Sequence, residues 1–158
     1  ARVTEGLGSF ALVGHSLGGW IAVEAARTWP ERVAALVCVD IPIGDERPRL
    51  EAELPTTSDR RRHSMPLSAT SFRDDLAAEP PLDAVALASL RCPALMAFGR
   101  QSPFASGSMV ARAALGDEAV RMFDGGHALH LDATDAVTDA IVRFLAQVPT
   151  RAPETPHG

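Results

Sequence analysis

The chain has 158 residues, a length that suggests one domain, and its 46% hydrophobic and 22% charged residues are those of an ordinary globular protein. A formal net charge of -5 argues against nucleic acid as a partner, because phosphate binding needs a positive surface. No apolar stretch approaches the roughly 18–20 residues of a membrane-spanning helix. No signal peptide is visible, which means little in a chain that reads as beginning in mid-fold; a cytoplasmic location is the expectation.

Phe10-Ala11-Leu12-Val13-Gly14 is a short apolar run ending in glycine. It reads as a strand buried on both faces, the kind found in parallel sheets. A helix is expected from about Gly18 to Trp29, with Ile21, Ala22, Ala25, Ala26 and Trp29 on one face. Pro30 stops it, since proline disfavours helix in the residue before it. Val33 to Val39 is a second buried-strand run, closed by Asp40-Ile41-Pro42; Cys38 within it reads as a small buried hydrophobe. Cys92 stands at the entrance of a third strand, Ala94 to Phe98, which ends at Gly99. Two cysteines without metal-type spacing imply neither a disulfide framework nor a zinc site. A small-residue helix follows over about Ser108 to Leu115, then a fourth strand from Ala119 to Phe123. The last helix runs from about Thr134 to Gln147, with Val137, Ile141, Phe144, Leu145 and Val148 as its apolar stripe.

Alternating strands and helices build a parallel sheet flanked by helices, an α/β fold. One segment, 44–91, breaks the alternation. It is too long for a plain crossover, and Leu50, Leu54, Met65, Leu67, Phe72 and Leu76 are scattered through it. It is expected to be a small helical insertion, a lid over the C-terminal edge of the sheet. The core then divides into 1–43 before the insertion and 92–148 after it, and 149–158 is expected to be a disordered tail.

Gly14-His15-Ser16-Leu17-Gly18-Gly19 fits G-x-S-x-G between a predicted strand and a predicted helix, the context in which that motif carries meaning. A serine on a tight strand-to-helix turn projects its hydroxyl from the sheet edge. The turn leaves no room for side chains two residues either side, which accounts for Gly14 and Gly18. The Leu17 N–H lies at a helix N-terminus, where it can face an oxyanion.

These residues resemble the α/β-hydrolase superfamily, in particular its lid-bearing serine esterase and lipase-like branch. The resemblance extends through Pro93 to Gly99, which looks like the strand before the acid loop, and through Gly125-Gly126-His127, which looks like the histidine loop. It implies a partial α/β-hydrolase fold, with Ser16 as nucleophile and His127 as base. Histidine titrates near 6.5, so it can take and return the serine proton near neutral pH. His130 is the rival base and reads better as packing beside the last helix. His15 is expected to line the pocket, and His63 and His157 to be solvated.

The acid is the departure from the family. Relatives usually carry aspartate three residues after the glycine that ends the third strand, where this chain has Ser102. A serine there could accept the imidazole N–H but brings no charge. Asp40, at the end of the second strand, is the preferred acid; its bland reading is a strand-ending residue that bonds nearby backbone. Asp124 and Asp45 are weaker candidates, and a chain without a working acid stays open. The resemblance also implies four earlier strands and a loop that supplies the second oxyanion donor, so the chain is expected to be a fragment. Arg60-Arg61-Arg62-His63 is a solvated run or, on a sharper reading, a clamp for a substrate carboxylate.

The reading is a serine hydrolase for a small carboxylic ester or related acyl compound. Ser16, His127 and Asp40 are its catalytic residues and Leu17 is in the oxyanion hole. It takes a small-molecule substrate, no cofactor and no metal, and its oligomeric state is open. The alternative is a ligand-binding protein, or an inactive fragment, that keeps the fold without turnover.

Overall fold

In the computed structural model the residues described are 8–44, 46, 71, 74–75 and 78–149. Four strands form one parallel sheet in the order β1-β2-β3-β4: β1 Phe10–His15, β2 Val33–Val39, β3 Ala94–Gly99 and β4 Val120–Phe123. Between and after them run helices α1 Leu17–Thr28, α2 Ala84–Ala88, α3 Gly107–Leu115, α4 Leu129–Asp132 and α5 Thr134–Ala146. A 3₁₀ turn, Asp117–Ala119, leads into β4, so that strand starts one residue later than the apolar run suggests.

The side-chain period of two in the central strands sorts the core into two layers. Leu36, Cys38, Met96 and Phe98 face one cluster, built with Trp20, Val23 and Ala26 of α1 and Ala111 of α3. Val37, Val39, Leu95 and Ala97 face the other, closed by Leu129 of α4 and Val137 of α5. Ile141, Phe144 and Leu145 pack against that second layer, as the predicted stripe of the last helix requires. Leu82, Ala86 and Leu87, which lie within 44–91, belong to the first layer. Of the expected insertion, residues 45, 47–70, 72–73 and 76–77 lie outside the described residues, Asp45 and Arg60 to His63 among them, as do His157 and the tail from 150 onward.

Two expectations are corrected. Among the described residues β1 is covered on one face only and is an edge strand; Phe10 and Leu12 pack against the first layer, while Val13 is 54% exposed on the other. The buried face of α1 is also rotated: Trp20 and Val23 are buried, whereas Ile21 and Trp29 lie exposed. The tight approach of β1 to α1 sets this phase, because it presses Gly19 and its neighbours onto the sheet. No helix among the described residues is long and apolar enough to cross a membrane.

Candidate active site

All four strands run parallel, so the turns after β1, β2, β3 and β4 open at one edge, the place where open α/β sheets hold their ligands. Ser16 follows β1 and precedes α1 directly. Its φ of 54° is a left-handed conformation that a residue with a side chain adopts at a cost, and its N–H still bonds the Val39 carbonyl at 2.9 Å. The turn closes because two glycines meet. A Cβ on Gly14 would stand 2.6 Å from Gly19 Cα, and one on Gly19 would strike Ile41 Cγ2. Gly18, expected to be sterically required, has open space at its Cβ position. The second glycine that the elbow needs is Gly19, which the motif leaves unmarked.

His127 stands in the turn after β4. Its Nε2 lies 3.0 Å from Ser16 Oγ, and its Nδ1 lies 2.7 Å from Asp40 Oδ2. A carboxylate accepts only, so Nδ1 carries the proton and Nε2 is left to accept from the serine hydroxyl. The Asp40 side chain is fully buried, while that of His127 is 18% exposed. Asp40 prolongs β2: its N–H donates to the Ala97 carbonyl at 2.7 Å. Its φ of 51° then turns the side chain into the site, the second strained non-glycine residue of the described chain.

The histidine turn is held from three sides. Gly126 N–H donates to Asp132 Oδ2 at 2.8 Å, and Gln101 N–H donates to the Gly125 carbonyl at 3.0 Å. His15 Nε2 lies 2.8 Å from the carbonyl oxygen of His127, so that nitrogen carries a proton and donates it. The His15 ring lies 4.6 Å from the His127 ring and 4.9 Å from the His130 ring. Burial lowers the pKa of His15, and the charges of His127 and His130 act in the same direction, against the hydrogen bond to His127 and the charge of Asp40. Phe104, buried in the first core layer, meets the His127 ring edge-on at 4.9 Å.

The other sequence candidates lie elsewhere. Asp124 is exposed and pairs with Arg100 at 3.1 Å. His130 is exposed, and its ring approaches His15, not Ser16. Ser102 does not meet the imidazole N–H: its hydroxyl donates to Asp40 Oδ2, since the carboxylate fills the space between them. Leu17 opens α1 and lines a hollow of about 310 Å³ with Trp20, Ile21 and Pro80 and the acidic residues Glu24, Asp75 and Glu79. A larger cavity of about 730 Å³ touches Pro93 to Leu95, at the opposite end of β3 from Ser16. Its size gives it no chemistry; the smaller one adjoins the elbow. Among the described residues no group of three or more His, Cys, Asp and Glu side chains is placed to hold a metal ion.

A parallel sheet whose first turn presents a strained serine, with histidine and aspartate converging from later turns, defines the α/β-hydrolase fold. The model of the alpha/beta hydrolase family matches residues 1–140, and the chain belongs to that family. Comparison with curated proteins returns no match. Among solved structures, a candidate lipase from Acinetobacter baumannii AYE is similar with a TM-score of 0.68 at 19% identity, over 92% of this chain and 64% of its own. A membrane phospholipase A, described as a bacterial virulence factor, gives 0.67 at 19% identity over 95% and 61%. E-2-(acetamidomethylene)succinate hydrolase gives 0.63 at 22% over 91% and 69%. At these identities the likeness is one of fold, and the chain spans less than two thirds of the lipase and the phospholipase.

Proposed function

We propose that the protein carrying this chain is a serine hydrolase acting on small carboxylic esters or related acyl compounds. The observation that supports it is the continuous chain of contacts from Ser16 Oγ to His127 Nε2 at 3.0 Å and from His127 Nδ1 to Asp40 Oδ2 at 2.7 Å. In this reading Ser16 attacks the ester carbonyl while His127 takes its proton, and buried Asp40 stabilises the imidazolium that forms. The negative oxygen of the tetrahedral intermediate rests on the Leu17 N–H at the start of α1. His127 then protonates the leaving alcohol, and the acyl group stays on Ser16. Water, deprotonated by His127, hydrolyses that acyl-enzyme and releases the acid. The hollow beside Leu17 has Trp20, Ile21 and Pro80 as apolar lining for an acyl or alkyl group, and Glu24, Asp75 and Glu79 on the same lining favour a substrate without negative charge.

A fluorophosphonate probe tests this reading. Labelling of the wild-type protein is expected at Ser16 and is expected to vanish in Ser16→Ala. Absence of labelling in a folded wild-type protein would reject the enzyme reading and leave a fold retained for binding.

A further inference from the structure

We infer that Ser102 is a positioning residue that fixes the Asp40 carboxylate against His127; this rests on the Ser16–His127–Asp40 reading above. Ser102 follows β3, and it is buried at 8% exposure. Its hydroxyl donates to Asp40 Oδ2, the same oxygen that His127 Nδ1–H approaches at 2.7 Å. The Phe104 N–H donates to Ser102 Oγ at 3.0 Å, which fixes the hydroxyl oxygen and leaves its proton for Asp40. The other oxygen, Oδ1, accepts the Gly99 N–H at 2.9 Å.

The carboxylate is therefore held at both oxygens from the β3 side, and His127 meets it from the β4 side. The backbone of Asp40 does not supply this restraint, since its φ of 51° is itself a strained conformation. Removing the Ser102 hydroxyl leaves the Gly99 N–H as the one donor besides the imidazole, among the described residues, that sets the rotation of the carboxylate. Among the described residues a fully buried carboxylate then loses one of three donors, and the oxygen facing His127 loses its one neighbour besides the imidazole. Hydrogen bonds to charged groups are the stronger ones, so the consequence is a loss of roughly ten- to a hundredfold in kcat. Substrate contacts are untouched, and KM is expected to stay within about twofold.

The experiment measures hydrolysis of p-nitrophenyl butyrate by the full-length protein and its variants, with folding followed by circular dichroism. Ser102→Ala is expected to lower kcat at least about tenfold, and Ser102→Thr, which keeps the donor, to recover most of it. In an Asp40→Asn background Ser102→Ala is expected to change kcat by less than about twofold, because the charge it positions is gone. Wild-type kcat in Ser102→Ala, or the same fractional loss in both backgrounds, overturns the inference. Should the alanine variant not fold, Ser102→Cys keeps the volume and weakens the donor: a matching kcat loss supports the role, and wild-type kcat overturns it. A Ser16→Ala protein that still hydrolyses the ester at the wild-type rate rejects the underlying triad instead, whatever Ser102 does.

Discussion

Asp40 and His127 are 87 residues apart in sequence, yet Asp40 Oδ2 and His127 Nδ1 lie 2.7 Å from each other at the sheet edge. The aspartate reaches the imidazole from the end of β2, one strand nearer the serine than the turn after β3. Asp40→Asn is expected to lower kcat on a model ester about 10⁴-fold, because the amide neither carries charge nor holds the Nδ1–H tautomer. Steady-state kinetics on the folded variant check it. A loss below about tenfold would show that Asp40 only closes the strand.

His15 links the serine turn to the histidine turn through one hydrogen bond, from its Nε2 to the His127 carbonyl. His15→Phe keeps a ring in that place and removes the donor. A neutral hydrogen bond contributes about 1 kcal/mol, so kcat is expected to fall roughly three- to tenfold. His15→Gln offers an amide N–H in its stead and is expected to lose less. A larger loss in His15→Gln than in His15→Phe would put the effect in the ring packing.

The same residue makes a pH prediction. Burial lowers the folded-state pKa of His15 below 6.5, so the unfolded chain holds the proton more readily. Its contribution to stability is complete above that ordinary value and is lost as pH falls toward the lower folded one. His127 and His130, which face it, oppose a charge there, and Asp40 favours one. Urea midpoints at pH 7.5 and pH 5 are expected to drop further in wild type than in His15→Gln. Parallel drops would show that His15 takes no part.

The strands were legible because each is a short apolar run ended by a glycine, an aspartate or a turn, a signal that survives without tertiary context. Helices α2 and α4 have five and four residues, too short for a 3.6-residue period to register. In α1 the stripe through Ile21 and Trp29 and the one through Trp20 and Val23 are both apolar; only the packing against Gly14 and Ile41 selects the second. At the site, Ser16 and His127 each carry a local motif. What Asp40 and Ser102 do depends on partners 87 and 62 residues away and on a positive φ at Asp40, none of which a linear motif encodes.

Adjacent glycines of the elbow are expected to respond in opposite ways to alanine. At Gly18 an added methyl meets open space within a helix, and removing glycine flexibility is expected to stabilise by about 0.5–1 kcal/mol. At Gly19 it strikes Ile41 Cγ2 and comes within 2.9 Å of the Gly14 carbonyl oxygen, so a cost of about 1–3 kcal/mol or more is expected. Denaturant midpoints of the two variants decide it. A Gly19→Ala protein as stable as wild type would mean that the turn can open without loss.

Cys38 lies beneath that turn, 1% exposed, with its Sγ 3.6 Å from the Gly19 carbonyl oxygen. Burial pushes its thiol well above the ordinary range, and the neighbouring Cys92 adds to the shift. Cys92 is only partly buried, and burial raises its thiol as well. Reactivity follows thiolate fraction and access, so a disulfide reagent at pH 8 is expected to modify Cys92 in the folded protein and Cys38 only after unfolding. The rate at Cys38 then measures how often β2 and α1 separate beneath Ser16, and Gly19→Ala is expected to raise it. Equal rates at both cysteines in the wild type would show that the serine turn is not held closed by the packing below it.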